Sequence, residues 1–214
     1  MPADSVATHV DAHFQDLENQ DHAGHFGMWV FISSEILFFA GLFMLYTGYR
    51  SEYHADFSKA AEYAKVGIGT ANTFILLTSS LFVAISVGAI REGRVRLVIV
   101  MQVLTILCGV AFMVLKGIEY FEHFSDQIYP GYLYHFEKAP NRGSGLFYTL
   151  YFVMTGLHAL HVIVGIGLFV WLLTRTIRGV YSAVGHLGIE LVGIYWHFVD
   201  VVWIFLWPMF YLLK

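Results

Sequence analysis

A single cysteine, Cys108, stands in 214 residues, which excludes an intrachain disulfide and any cysteine-based metal cage. Its place in the middle of an apolar run predicts a small core residue. Charge is scarce as well. Asp, Glu, Lys and Arg make up 13% of the chain, against about 25% in an average soluble domain. A formal net charge of -4 with no basic stripe argues against nucleic acid as a partner. Residues 1–23 hold five acidic side chains and no Lys or Arg. The absence of a basic n-region leads us to expect no cleavable signal peptide, with the first span acting as its own insertion signal. No repeat of 20 to 50 residues appears, and no inverted pair of broken helices points to a secondary transporter.

What the chain has in excess is apolar surface. Hydrophobic residues make up 57%, and they gather in runs long enough to cross a bilayer, about 20 residues each. The runs lie at Gly27 to Gly48, Val66 to Ile90, Leu97 to Tyr120, Leu146 to Leu173 and from His186 to the C-terminal end. The fold class expected is all-α, an integral membrane bundle of five transmembrane helices. Residues 1–23 are read as a polar N-terminal segment and residues 24–214 as one five-helix domain. Arg50 to Lys65 reads as a charged, partly helical connection. His123 to Arg142, with Pro130, Gly131, Tyr132 and Tyr134, reads as an irregular interfacial loop.

Polar side chains inside such runs are expensive, so each needs a reason. Glu35 sits in the first span and should be partnered or protonated, since desolvation disfavours the charged form. In the last run His186, Glu190, His197 and Asp200 fall within roughly 80° of one another at 100° per residue. This polar stripe should face protein and hold neighbouring helices by hydrogen bonds, with catalysis or ligation as the other reading. His158 and His161 project about 60° apart on the fourth span, a spacing open to a metal or haem as well as to hydrogen-bonded structural histidines. Lys116 and Glu119, three residues apart, fit an ion pair near the membrane edge. His9, His13, His22 and His25 match no compact zinc spacing.

Several of these segments resemble one family. Tyr-Trp-His-Phe-Val-Asp-Val-Val-Trp at 195–203 is similar to the C-terminal signature of subunit III of haem-copper cytochrome c oxidases. Ser-Glu-Ile-Leu-Phe-Phe at 34–39 resembles the family segment whose Glu reacts with hydrophobic carbodiimides. Asn72-Thr73 with Ser79, Glu119-Tyr120 with Glu122, and Thr155-Gly156-x-His158-x-x-His161-Val162 follow in the family's order. Phe14 to Gln20 looks like the amphipathic lead-in of bacterial members. The five-span length resembles the shorter form of the subunit, which lacks the first two helices of the seven-helix form.

The resemblance implies a non-catalytic subunit of a proton-pumping terminal oxidase of aerobic respiration. It implies no redox centre or cofactor in this chain, with haem and copper in partner subunits, above all the catalytic subunit I, and with subunit II and a respiratory supercomplex as further partners. It also implies phospholipid in a cleft between helices, sustained proton uptake, and a route for dioxygen. Glu35 matches the carbodiimide-reactive acid, Arg175 matches the arginine that binds a phospholipid headgroup, and the two together are the lipid-binding residues that the resemblance implies. No metal ligand and no catalytic residue is carried over. Two other functions remain open on the residues alone: a haem-carrying electron-transfer anchor using His158 or His161, and the related subunit of a quinol oxidase or nitric oxide reductase. Arg91, Arg94 and Arg96 in one tight turn and Arg175 and Arg178 in another share a side. The rule that cytoplasmic loops are basic then puts the N-terminus in the cytoplasm and the C-terminus in the periplasm of a bacterial inner membrane.

Overall fold

The computed structural model describes residues 17–131 and 134–213. The helices are α1 (Leu17–Glu52), α2 (His54–Ala61), α3 (Val66–Arg91), α4 (Val95–Ser125), α5 (Arg142–Ile177) and α6 (Leu187–Tyr211), and no strand occurs among the described residues. All except α2 are long and apolar enough to cross a membrane. The shortest of the five has 25 residues, about 37 Å at 1.5 Å per residue, against a hydrocarbon core of about 30 Å.

The turns are set by local chemistry. α3 ends in a Schellman motif: Gly93 takes a φ of 73°, its N–H donates to the Ile90 carbonyl, and the Arg94 N–H donates to that of Ala89. Only glycine enters that left-handed conformation without a steric cost, and the chain reverses within three residues. Gly179 closes α5 in the same way, with bonds back to Thr176 and Arg175. These short reversals force antiparallel neighbours. α3, α4, α5 and α6 close into a ring, each packed on the next and α6 back on α3, while α1 lies outside it across α5 and α6.

The centre of the ring is built around the indoles of α6. Trp196 and Trp203 are almost wholly buried. A side chain at Gly165 would lie 2.7 Å from the Trp196 ring and one at Gly109 would lie 3.0 Å from it, so both positions must be small for α4 and α5 to close around that indole. Trp203 meets the Phe112 ring edge to face at 4.9 Å.

Several expectations change. The segment from Arg50 to Lys65 is mostly helix, because Phe57, Ala60 and Ala61 bury one face of α2, which packs on α5. α1 runs unbroken through residue 23, so the described part of the polar segment, 17–23, is helical; residues 1–16, with His9, His13 and most of the lead-in from Phe14, lie outside the described residues, as does Tyr132. Cys108 is half-buried and so not a core residue, because it lies on the flank of the face of α4 that Gln102, Thr105, Gly109 and Phe112 bury. In the loop, the Tyr134 hydroxyl donates to the Ala139 carbonyl at 2.6 Å, and burial pushes its phenol up to about 12.

Candidate functional site

Polar side chains are tied at several levels through the bundle. At the end where α3 and α4 meet, Arg91 donates to Glu190 Oε1 through both Nε (3.1 Å) and Nη2 (2.6 Å). His186 Nε2 reaches the same oxygen at 3.1 Å, and His25 Nε2 from α1 stands 3.4 Å from Oε2. Glu190 thus gathers α1, α3 and α6. About two turns further along α6, Trp196 Nε1 donates to Ser79 and His197 Nδ1 meets Ser80 Oγ at 2.6 Å. Then Trp203 Nε1 donates to Thr73. Small hydroxyl residues on α3 meet large aromatic donors on α6, the pairing that membrane helices use in place of a hydrophobic driving force.

Glu35 meets His161. The carboxyl Oε2 lies 3.2 Å from Nε2, while His161 Nδ1 donates to the Leu157 carbonyl at 2.8 Å. Since Nδ1 must carry a hydrogen to bond a carbonyl, Nε2 of a neutral ring is an acceptor facing another acceptor. The contact is attractive only with a proton between them, held as a carboxylic acid or as an imidazolium. The pair lines a groove of about 320 Å³ on the lipid-facing side, bounded by Met28, Phe31, Leu160, Val164, Leu168 and Tyr195. The Glu35 side chain is 22% exposed, enough to meet a small molecule arriving from the lipid. A larger groove of about 580 Å³ runs between α1 and α6 and is walled almost wholly by apolar side chains, among them Trp29, Ile36, Phe43, Val201 and Phe205, with His197 as the polar exception.

Lys116 is the reverse case, a cation closed in completely. Its Nζ donates to Glu119 Oε2 at 2.8 Å, to the Tyr151 hydroxyl at 2.9 Å and to the Tyr211 hydroxyl at 3.1 Å. Tyr211 in turn donates to Glu119 Oε1 at 2.6 Å. The expected pair is therefore present but does not lie at an edge: its side chains are 3% and 0% exposed, because tyrosines from α5 and α6 fold over it. Burial leaves no room for a headgroup or a partner subunit on this pair. A second ion pair, Lys65 with Glu122, ties the start of α3 to α4 nearby.

His158 departs from the expectation of a hydrogen-bonded histidine. Both its ring nitrogens are buried without a partner, between the rings of Phe112 (5.6 Å) and Trp203 (5.1 Å). Asp200 likewise has no completed hydrogen bond, though Ser80 is its polar neighbour. So His186, Glu190, His197 and His161 make side-chain ties and His158 and Asp200 do not. No three His, Cys, Asp or Glu side chains converge as a metal-holding group among the described residues.

Arg175 is exposed in the last turn of α5, where a cation complements the helix dipole. Its guanidinium lies 4.9 Å from the Trp171 ring and pairs with no carboxylate among the described residues. Burial pushes the phenol of Tyr181 up, and the nearby Arg175 charge opposes that.

Three of these features had no sequence signal strong enough to find them. His25 and Arg91 converge on Glu190 only through tertiary contact. Tyr151 and Tyr211 close Lys116 from other helices. The larger groove exists because α1 packs beside α6, a pairing that no single helix encodes.

Residues 8–214 match the family model described as cytochrome c oxidase subunit III. The cytochrome c oxidase subunit 3 of Gadus morhua is 35% identical over 199 residues, covering 87% of this chain and 68% of that protein. That of Salmo salar is 35% identical over 199 residues with the same coverage. That of Pelomedusa subrufa is 33% identical over 201 residues, again covering 87% and 68%. With the Glu35 segment, the 155–162 motif and the aromatic α6 all inside the matched range, this chain belongs to the cytochrome c oxidase subunit III family.

Proposed function

We propose that the chain is a supporting, non-catalytic subunit of a proton-pumping haem-copper oxidase in a bacterial inner membrane. In this reading it sits beside the catalytic subunit I, with subunit II and respiratory supercomplexes as further contacts, and haem and copper reside in those partners. The observation that carries the reading is the Glu35–His161 pair: an acid and a base in contact beside a groove that opens to lipid, on a chain whose Lys116–Glu119 and Arg91–Glu190 pairs are turned toward one another. Such a site can hold a proton or stabilise a helix contact. It offers no arrangement for breaking bonds in a substrate. Purification in mild detergent tests the proposal: an intact oxidase should carry this chain at one copy per catalytic subunit, and the separated chain should show no Soret absorption. A stoichiometric haem on the separated chain would overturn it.

Lipid binding belongs to the same proposal. The groove between α1 and α6 is walled almost wholly by apolar side chains and, at about 580 Å³, has room for part of an acyl chain. At the far end of α5, Arg175 stands at headgroup depth with donors to spare. Arg175→Ala is expected to lower co-purified anionic phospholipid by several-fold in native mass spectrometry; unchanged lipid would remove this residue from the lipid site.

The orientation follows from charge. Arg91, Arg94, Arg96, Arg175 and Arg178 share the side of the α1 N-terminus in short turns, whereas Arg50, Lys59, Lys65, Lys138 and Arg142 on the opposite side lie in longer connections that also carry Glu52, Asp56, Glu62, Asp126 and Glu137. The N-terminus is therefore cytoplasmic and the C-terminus periplasmic. Reporter fusions at Ser5 and Lys214 are expected to report opposite sides, alkaline phosphatase being active only at the C-terminal position; both termini on one side would remove the five-span topology.

A further inference from the structure

A polar atom inside a bundle of lipid-embedded helices has only the protein or a small bound molecule for a partner. Among the described side chains with two polar atoms, Gln102 and His186 leave one of them buried without a partner, whereas Asn72, His158 and Asp200 leave both. These three are 0%, 1% and 3% exposed, and they come from three helices of the ring, α3, α5 and α6. They also share one level of it. Trp203 Nε1 donates to Thr73, the residue after Asn72, and the Trp203 ring stands 5.1 Å from that of His158. Asp200 precedes Trp203 by three residues on the same face of α6, about 4.5 Å along the axis at 1.5 Å per residue. All three therefore lie within about one helical turn of the Trp203 indole along the bundle axis.

The other polar groups around that indole are already engaged. Thr73 donates to the Gly69 carbonyl and accepts from Trp203, and Ser79 donates to the Leu76 carbonyl and accepts from Trp196. Thr155 donates to the Tyr151 carbonyl and meets the Tyr120 hydroxyl. Lys116 places its three hydrogens on Glu119, Tyr151 and Tyr211. Ser80, the polar neighbour of Asp200, shares its hydroxyl with His197 Nδ1 at 2.6 Å. What remains is a set of unlike needs. Asn72 presents amide hydrogens and a carbonyl oxygen, a neutral His158 presents one N–H and one lone pair, and Asp200 presents carboxyl oxygens. A cation meets only the acceptors and an anion only the donors. A molecule that both donates and accepts, and is small enough to be enclosed here, meets them all. We infer that the ring centre beside Trp203 is a water-binding site, held by Asn72, His158 and Asp200 and continued through Ser80 to His197 at the wall of the groove between α1 and α6.

The site gives this polar set a role that direct packing does not. A buried water makes about three hydrogen bonds to groups that otherwise have none. A few such molecules join α3, α5 and α6 at a level where Trp203 already ties α6 to α3 directly. They also relieve the cost of enclosing an amide, an imidazole and a carboxyl without partners. Beyond them, Ser80 stands between Asp200 and His197, whose ring lines the groove. Water, hydroxyl and neutral imidazole each both donate and accept, so the bonded chain runs from the ring centre to the groove without a break in chemistry.

X-ray radiolysis of the full chain, in nanodiscs and in the complex with which it purifies, tests the inference. Hydroxyl radicals formed from a bound water oxidise the side chains beside it, while radicals from bulk water do not reach residues this deep. Peptide mass spectrometry maps the oxidised positions. In the natural chain Trp203 and His158 are expected to oxidise several-fold faster than Phe147 after correction for intrinsic reactivity. Phe147 is as deeply buried, but it packs among the rings of Phe57, Tyr148 and Phe210. In Asn72→Leu/Asp200→Leu, which keeps similar volumes and removes the amide and the carboxyl, oxidation of Trp203 should fall to the Phe147 level. Asp200→Asn keeps a polar group there and should retain it. Equal corrected rates at Trp203 and Phe147 in the natural chain would overturn the inference, a measurement that needs no variant to fold. So would unchanged oxidation of Trp203 in the double variant.

Discussion

Lys116→Met is expected to be the most destabilising of the single substitutions considered, lowering stability by about 3–5 kcal/mol, because it strands the Glu119 carboxylate in the centre of the bundle. The ammonium makes three hydrogen bonds there and lies within 6 Å of the Tyr120, Tyr151, Trp203 and Tyr211 rings. Methionine fills similar volume but returns none of the three bonds. The same logic predicts partial recovery in Lys116→Met/Glu119→Gln, since an amide can still accept from Tyr211 and carries no charge to desolvate. Reversible unfolding in mixed micelles measures both. A loss below about 1 kcal/mol in the single variant would mean that water enters to solvate Glu119, and that the cluster is less closed than its 0% exposure indicates.

Treatment with an apolar carbodiimide is expected to modify Glu35 in preference to the other acids, and removal of the whole subunit should shorten the working life of the oxidase while leaving its initial rate near normal. The first expectation follows from geometry. The reagent must take a proton from the carboxyl before the oxygen adds to its carbon, and the His161 contact requires a proton at this site. The groove admits a small apolar molecule from the lipid side. Glu119 is sealed and Glu190 is held by Arg91, so neither combines access with a shared proton. Peptide mass mapping should place the adduct on Glu35 and lose it in Glu35→Gln. Dominant labelling of another acid would show that access, and not protonation, governs the reaction.

The second expectation follows from the proposed supporting role. If electrons and dioxygen react only in a neighbour, removing this chain cannot abolish the first turnovers. An oxygen-electrode trace of the depleted complex should begin near the rate of the complete one and decay several-fold sooner. Complete loss of initial activity with subunit I intact would place this chain within the chemistry.

Much of the architecture could be read directly from the residues. The five spans emerge as five helices because uninterrupted apolar length is a local property, and in lipid a backbone that long must satisfy its own hydrogen bonds. Helix ends were less legible. α1 extends beyond the expected Gly27 to Gly48 at both ends, since polar residues can continue a helix past the hydrocarbon and only specific caps stop it. The motif at 155–162 marked two histidines alike, yet His161 meets a carboxyl while His158 is enclosed by Phe112 and Trp203. Three residues of spacing turn them toward different neighbours, and nothing in the motif says which neighbour waits on each side.

The sequence by itself determined that this chain is a membrane bundle of five helices, that Glu35 must be partnered or protonated, and that the aromatic C-terminal span resembles that of oxidase subunit III. All of these depend on composition, on local periodicity or on an ordered string of residues. Tertiary structure alone decided that α1 stands outside a ring of four helices, that Lys116 is sealed by tyrosines from two other helices, and that His25, Arg91 and His186 share one carboxylate. The reason is the nature of helix association in lipid. Apolar side chains there gain little by choosing one another over acyl chains, so partners are selected by small residues that permit close approach and by sparse polar contacts whose geometry appears only when the helices are packed.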